Sequence, residues 1–313
     1  MNLFSSHTDE RENFVNSTLE RFKFFRQIQI LPVARVFDFA GWMENFAGTE
    51  ERYIAAKILS GFTYYESGMA NRLLYDAIGN VIADIRRIRK SNESDFHAKR
   101  VIYSFIPGET PSVTDSGYLF ARKLRDDLGI SPENIVDFAK VVSILQGSSR
   151  SDVNLVFCDD FVGSGCQCRK ALNGKNYEDL DGQTIYDYAL AHGQVLAYAP
   201  LIANVIGFNV IKASMPDFIL HPVHILGDEY NLFNSQCFCW NYDAGLFNAG
   251  IEMITEKCRN LGIPDNNSVV SMKGFRGQGL MIGFEHGIPD SDSAIFFWKN
   301  NWNPLMERYY ERN

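Results

Sequence analysis

Hydrophobic residues recur at helical spacing through most of the first 95 residues. Two series indicate amphipathic helices: Ile54, Ile58, Phe62 and Tyr65, and then Leu74, Ile78, Val81, Ile85 and Ile88. The second series ends in the basic stretch "IRRIRK". Basic residues favour the C-terminal end of a helix, where the helix dipole is negative, so we predict that this helix ends there. The polar stretch around residues 91–99 has no periodicity and is the best candidate for a boundary. We therefore predict an N-terminal helical region over residues 1–95.

Beyond residue 95 the pattern changes to short apolar runs separated by amphipathic stretches. The runs "RVIYSFI", "DVNLVFC" and "GQVLAYAPLIA" are nearly continuous, which is typical of strands buried on both faces. Helices are predicted between them at "SGYLFARKLRDDLGI" and "CQCRKALNG". Strands and helices in this order indicate a parallel sheet with crossover helices. The predicted fold class is α/β, with a parallel-sheet core over residues 96–235.

The last quarter of the chain, residues 236–313, is predicted to form a region of mixed α and β structure. The segment "NAGIEMITEKCRNLG" indicates a helix that ends at Gly262. The segments "LMIGFEHGIPD" and "SAIFFWKNNW" are predicted to be two strands joined by a turn at residues 287–290.

Composition and charge narrow the classes of partner. Hydrophobic residues make up 46% of the chain and charged residues 22%, which is typical of a globular protein. The net charge of −8 argues against a surface built for a nucleic-acid backbone. The first residues lack the basic-then-apolar order of a signal peptide, and polar residues interrupt the most apolar window. We expect a soluble cytoplasmic protein with no membrane partner.

Six cysteines in a chain of 313 residues fit a reducing compartment better than a disulfide framework. They include two Cys-x-Cys pairs, Cys166 with Cys168 and Cys237 with Cys239. Zinc sites usually have the spacing Cys-x-x-Cys, which lets both sulfurs reach one ion. We therefore interpret both pairs as half-buried apolar positions.

The stretch "VFCDDFVGSGCQ", residues 156–167, is the strongest candidate for a ligand site. Its segment from Asp159 to Gln167 lies between the predicted buried strand 153–158 and the helix that follows, and ligands of parallel α/β sheets bind beyond the carboxyl ends of the strands. Gly163 and Gly165 allow a tight turn, after which backbone amides at a helix start can bind an anion. Asp159 and Asp160 repel phosphate, so we expect them to face sugar hydroxyls or a hydrated Mg²⁺. A phosphorylated ribose offers both kinds of group.

This stretch resembles the PRPP-binding motif of type I phosphoribosyltransferases, in which two acids and two hydrophobic residues precede a loop rich in hydroxyls and glycine. A longer resemblance, which adds "SGYLFARKL" and "GFEHGIPDSDSAIFFWKNNWNPLMER", is to the divergent phosphoribosyltransferase-like proteins of bacterial conflict systems, known as PRTase-CE. It implies a phosphoribosyltransferase-like core with a C-terminal hood over residues 236–313. It also implies that Asp159 and Asp160 are the catalytic residues, hold the ribose hydroxyls, and are the candidate Mg²⁺ ligands. The implied 5-phosphate loop is Gly163, Ser164, Gly165, Cys166 and Gln167.

The same resemblance implies a role in anti-phage defence, as a toxin effector that acts on nucleotides. Partners would be PRPP or a nucleotide-like molecule and a regulator, such as a reverse transcriptase with its RNA. Gly163 and Gln167 stand where the motif has hydroxyls, and the upstream loop has Glu109 and Asp115 but no Lys or Arg between Val101 and Ala121. Three hypotheses therefore stay open: an active transferase, a catalytically inactive sensor of a nucleotide or phosphosugar, and a structural subunit.

Three other features have simpler interpretations. The spacing of "GFRGQG", residues 274–279, suggests a nucleotide loop, but it precedes a strand, so we predict a turn. His221 and His224 have no nearby third ligand in the sequence and are interpreted as core or surface histidines. Glu285 and His286 follow a predicted strand, where a general acid–base pair could lie.

Overall fold

The computed structural model describes residues 3–90, 100–108, 116–147 and 153–308. Its helices are α1 (Leu3–Gln27), α2 (Phe39–Met43), α3 (Gly48–Gly61), α4 (Ser67–Arg89), α5 (Ser116–Asp126), α6 (Val141–Gly147), α7 (Cys166–Asn173), α8 (Ile185–Ala191), α9 (Val205–Ser214) and α10 (Ala244–Leu261). Its strands are β1 (Thr63–Tyr65), β2 (Arg100–Phe105), β3 (Val153–Val162), β4 (Val195–Asn204), β5 (Ile219–Leu220), β6 (His224–Leu226) and β7 (Ile282–Phe284).

The chain folds as two compact units. One, which we call the split unit, contains Met1–Ser67 together with Gly227–Asn313. The other, which we call the sheet unit, contains Gly68–Leu226. The three-part division at residues 95 and 235 stays a prediction, and its first seam, residues 91–99, lies outside the described residues.

The sheet unit is built on a parallel sheet with strand order β2-β3-β4-β5, and β6 also pairs with β4. β3 and β4 lie side by side, from Asn154 opposite Val195 to Val162 opposite Ala203. Every residue of β4 is buried, because a central strand of a parallel sheet is covered on both faces. The prediction of an α/β fold with a parallel-sheet core is therefore confirmed.

The most apolar stretch of the sequence, residues 195–211, is divided between a strand and a helix. β4 ends at Asn204, whose side chain accepts a hydrogen bond from the Ile206 amide at 3.0 Å. This hydrogen bond caps the first turn of α9, so the strand ends and the helix begins at this point. Among the helices of the described ranges, none has the length and apolar character needed to cross a membrane.

The last turn of α4 is tied to the sheet by Arg89. Its guanidinium donates to Asn154 Oδ1 at 3.0 Å, to the Val153 carbonyl at 3.1 Å and to the Gly193 carbonyl at 2.9 Å. Three charge-assisted donations to fixed acceptors hold the helix end at the starts of β3 and β4. The basic stretch predicted to close this helix does lie in its last turn.

The split unit has an aromatic core assembled from distant parts of the chain. β1 pairs with β7 in parallel, with Thr63 opposite Ile282. The indole nitrogens of Trp42 and Trp302 both donate to the carbonyl of Ile295, at 3.0 and 2.9 Å. Buried indoles need such partners, and here one carbonyl serves both of them.

Two sequence predictions for the split unit are wrong. The helix expected to run from Ile54 to Tyr65 ends at Gly61, and Tyr65 belongs to β1. The second C-terminal strand is absent from the described residues, because residues 294–296 form a 3₁₀ turn in which the Phe296 amide donates to the Ser293 carbonyl at 3.1 Å. Residues 294–296 are completely buried, so their continuous apolar character does not separate a turn from a strand. In the other segment the helical spacing of apolar residues continues past Gly61, but the backbone becomes extended at Phe62 and the chain enters β1.

Candidate functional site

The candidate site lies in the sheet unit, at the carboxyl end of β3. β3 ends at Val162 and α7 begins at Cys166, so residues 163–165 form the whole connection. Gly165 is the residue before the helix and has a φ of 71°, in the left-handed region that favours glycine. The sequence prediction of a loop between a buried strand and a helix is thus confirmed, but its start is wrong. The strand continues past residue 158 to Val162, so Asp159 and Asp160 belong to β3 and not to the loop.

The loop packs closely against the first turn of α9. A Cβ atom on Gly165 would lie 2.6 Å from the Gly207 carbonyl oxygen, and one on Gly207 would lie 2.8 Å from the Gly165 nitrogen. Neither contact is possible for a real Cβ, so both positions require glycine for close approach. As a result, the N-terminal ends of α7 and α9 lie together beyond β3 and β4. Their positive dipole ends favour a bound anion at this edge.

Several backbone amides of the loop have no acceptor within the part of the protein that the structure describes. Within the described ranges, the amides of Ser164, Gly165 and Gln167 donate to no protein acceptor, and the Cys166 amide donates only to Ser164 Oγ, at 3.4 Å. Successive amides at the start of a helix form a concave site for a phosphate or other anion. Gly163 and Ser164 are partly exposed and Gln167 is exposed, whereas Gly165 and Cys166 are buried. The buried Cys166 thiol is therefore not a group that a ligand would contact first.

The two acids of the motif have different environments. Asp159 is 5% exposed, and its two carboxyl oxygens accept hydrogen bonds from the Asp160 amide and the Tyr198 hydroxyl, each at 3.0 Å. Asp160 is only partly buried. Burial, then the charge of Asp160 and its side-chain hydrogen bond, raises the pKa of Asp159 well above its usual value. The hydrogen bond from Tyr198 acts in the opposite direction and does not outweigh burial.

The side chain of Gln167 makes a hydrogen bond within the protein. Its Nε2 atom donates to the carbonyl of Pro107 at 2.7 Å, just beyond β2. The side chain therefore ties the first turn of α7 to the start of the loop that the resemblance assigns to pyrophosphate. Glu109 and Asp115 of that loop lie outside the described residues.

The other sequence candidates do not form a second site. His221 contacts the Asp84 carboxylate, whereas His224 is exposed on β6. Burial, with Arg87 and Lys212 nearby, lowers the pKa of His221. Among the described residues, no group of three or more His, Cys, Asp or Glu side chains could hold a metal ion.

In the split unit, Glu285 accepts a hydrogen bond from the Ser67 amide at 2.8 Å, and His286 stacks on Phe284 with 5.2 Å between ring centroids. Residues 274–279 form a turn that includes the 3₁₀ segment Phe275–Gly277. All six cysteines are free and buried, and the Sγ atoms of Cys237 and Cys239 are 3.4 Å apart.

Sequence reasoning missed two residues of this region, Tyr198 and Gly207. Tyr198 has the only polar side-chain atom in the apolar run 195–203, and such an atom in a buried strand needs a partner. Gly207 interrupts the apolar window three residues after the strand ends, where a close approach to a neighbouring loop is a usual reason for glycine. Both signals were present in the sequence.

Comparison with known protein families gives one match that covers most of the chain. The family model described as PRTase-CE matches residues 39–308, which includes β3, the loop and α7. Searches among curated proteins and among solved structures gave no match.

Proposed function

Because the chain belongs to the PRTase-CE family, we propose that it binds PRPP, or another phosphorylated ribose or nucleotide, at the loop between β3 and α7. The observation that best supports this proposal is the row of unengaged amides at Ser164, Gly165 and Gln167, next to the partly exposed Asp160. Amides bind the 5-phosphate, and a carboxylate accepts hydrogen bonds from ribose hydroxyls. A phosphate-only site would have no use for an acid beside it.

The proposed reaction, as expected of a phosphoribosyltransferase-like protein, takes place at the anomeric carbon. The bond to pyrophosphate breaks while a bond to a base or nucleotide acceptor forms. Positive charge develops on the ribose ring, so the protein contributes mainly by holding the sugar and the acceptor in line and excluding water. We further propose that this activity serves anti-phage defence as a toxin effector that acts on nucleotides.

Mg²⁺ fits this proposal as an ion that enters with the substrate. The described residues offer no cluster of three ligands, and both oxygens of Asp159 already accept hydrogen bonds. Mg²⁺ keeps several waters and is usually held by one or two carboxylates together with substrate phosphates. We propose that Asp160 binds it, either directly or through a water molecule.

A second candidate function is a sensor that binds the same ligand without turnover. Gln167 favours it, because the side chain at this phosphate-loop position donates to Pro107 rather than offering a hydroxyl to phosphate. Release of pyrophosphate from PRPP, in the presence of Mg²⁺ and candidate bases, separates the two functions. Binding of PRPP without any release under these conditions would support the sensor.

Binding itself is tested by calorimetric titration of ribose 5-phosphate and of inorganic phosphate. Asp160→Asn should weaken ribose 5-phosphate roughly ten- to a hundredfold, because a charge-assisted hydrogen bond contributes about 1.5–3 kcal/mol. Inorganic phosphate should bind as in the wild type or more tightly, since a nearby negative charge is removed. Asp179→Asn, an exposed acid of the same unit, is the matched control. Equal binding of ribose 5-phosphate by wild type and Asp160→Asn would refute the proposal.

A further inference from the structure

The two adjacent acids of the motif divide their roles. We propose that Asp159 is a positioning residue anchored by Tyr198, and that Asp160 alone of the pair contacts the ribose hydroxyls. This inference rests on the proposed function, and it departs from the assignment of both acids to the sugar.

Both carboxyl oxygens of Asp159 already accept a hydrogen bond from the protein. Oδ1 accepts from the Asp160 amide and Oδ2 from the Tyr198 hydroxyl, each at 3.0 Å. The residue is 5% exposed, so a sugar hydroxyl cannot reach it without moving the surrounding core. Replacing either hydrogen bond by one to the ligand would leave the Asp160 amide or the Tyr198 hydroxyl without its partner, at a cost in free energy.

The two acids point to opposite faces of the sheet. Neighbouring residues of a strand alternate between faces, so Asp159 shares a face with Phe157 rather than with Asp160. Phe157 and Tyr198 are opposite each other in the β3–β4 register, and both belong to the buried core of the sheet unit. Tyr198 therefore holds Asp159 from within the core, while Asp160 remains partly exposed.

Asp159 also restrains the backbone of Asp160. Asp159 Oδ1 accepts from the backbone nitrogen of Asp160, and this closes a short ring around the peptide bond that precedes the ligand-facing side chain. A fixed backbone at Asp160 limits the positions that its carboxylate can occupy. Pre-organisation of this kind increases affinity, because less conformational freedom is lost when the ligand binds.

The test compares sugars that differ by one hydroxyl. Ribose 5-phosphate, 2-deoxyribose 5-phosphate and 3-deoxyribose 5-phosphate are titrated against the wild type, Asp159→Asn, Tyr198→Phe, the double variant and Asp160→Asn. The wild type should bind ribose 5-phosphate more tightly than at least one deoxy sugar. Asp160→Asn should bring that ratio of dissociation constants close to one.

The positioning variants should give a different pattern. Asp159→Asn keeps the size of the side chain and an acceptor for the Asp160 amide, but the oxygen that accepts from Tyr198 is replaced by an NH₂ group, which weakens the anchor. We therefore expect a severalfold loss of affinity for every sugar and a ratio within about twofold of wild type. Tyr198→Phe should have the same effect. The double variant should bind no more weakly than the single variant with the lower affinity, because both changes act on the same hydrogen bond between Tyr198 and Asp159. Thermal melts identify any variant that fails to fold. If Tyr198→Phe or the double variant does not fold, the test rests on the titrations of Asp159→Asn.

The outcomes separate the inference from the function. If the wild type does not bind ribose 5-phosphate, the proposed function fails, and the inference fails with it. If the wild type binds ribose 5-phosphate and Asp159→Asn abolishes discrimination as fully as Asp160→Asn does, both acids contact the sugar and only the inference is overturned. A wild type that binds all three sugars equally would also overturn it.

Discussion

Substitution of Gly165 by alanine should destabilise the sheet unit through two separable effects. The first is backbone strain, because Gly165 has a φ of 71° and an L-residue in the left-handed region costs roughly 1–2 kcal/mol. The second is the approach of the new Cβ to the Gly207 carbonyl oxygen, at 2.6 Å. Overpacking of this kind typically costs about 1–3 kcal/mol. We expect Gly165→Ala to lower the free energy of unfolding by the sum, about 2–5 kcal/mol.

Two further variants measure the backbone strain and the packing contact separately. Gly182→Ala is matched in backbone strain, since its φ is 74° and a Cβ there meets no atom within 4 Å. Gly207→Ala tests the same loop contact from the other side, and it lies outside the left-handed region. Gly182→Ala should therefore cost about 1–2 kcal/mol and Gly207→Ala about 1–3 kcal/mol.

Urea denaturation followed by circular dichroism gives the three free energies. The same variants, titrated with inorganic phosphate, should show weaker binding for Gly165→Ala and Gly207→Ala, because the loop must move away from α9. Gly182→Ala should bind phosphate like the wild type. If Gly165→Ala is no less stable than Gly182→Ala, the close packing of the loop against α9 is not real, and the argument from it fails.

Two other predictions concern residues outside the site. Burial raises the pKa of Asp292 well above its usual value, so its contribution to stability is complete below about pH 4 and is lost as pH rises towards the folded pKa. Asp292→Asn should remove this loss, which amounts to at most about 1.4 kcal/mol per pH unit in the wild type; parallel pH profiles of the two proteins would contradict it. Arg89→Ala should lower the free energy of unfolding by about 2–3 kcal/mol, since it removes three charge-assisted hydrogen bonds. Arg125→Ala, which removes an exposed ion pair, is the control and should change the melting temperature little.

Much of the sheet unit could be predicted from the sequence, because its signals are local. Continuous apolar runs marked β2, β3 and β4, and the glycines after β3 marked the loop. The position of the site follows from the same signals, since parallel strands share one carboxyl edge. Asp159 and Asp160 could be found as a pair by the same reasoning.

The division of roles within that pair could not be predicted. It depends on Tyr198, which is 39 residues away and meets Asp159 only through the pairing of β3 with β4. The same holds for the contact between Gly165 and Gly207, which joins two loops distant in sequence. In the split unit, periodicity failed at Tyr65, because the spacing of apolar residues does not show that the backbone becomes extended after Gly61. It failed at residues 294–296, because a completely buried segment lacks the alternation of apolar and polar residues that distinguishes elements.

The interruption of the split unit by the sheet unit has a consequence for biosynthesis. On the ribosome, residues 1–67 emerge first, and β1 cannot pair with β7 until the chain has been translated through Phe284, which includes the whole sheet unit. The sheet unit, by contrast, has every one of its described strands on the nascent chain before translation reaches residue 227. Buried side chains of the early segment, such as Phe37 and Trp42, lack their C-terminal partners during that interval. Those first helices are where a nascent chain of this protein would most need a chaperone.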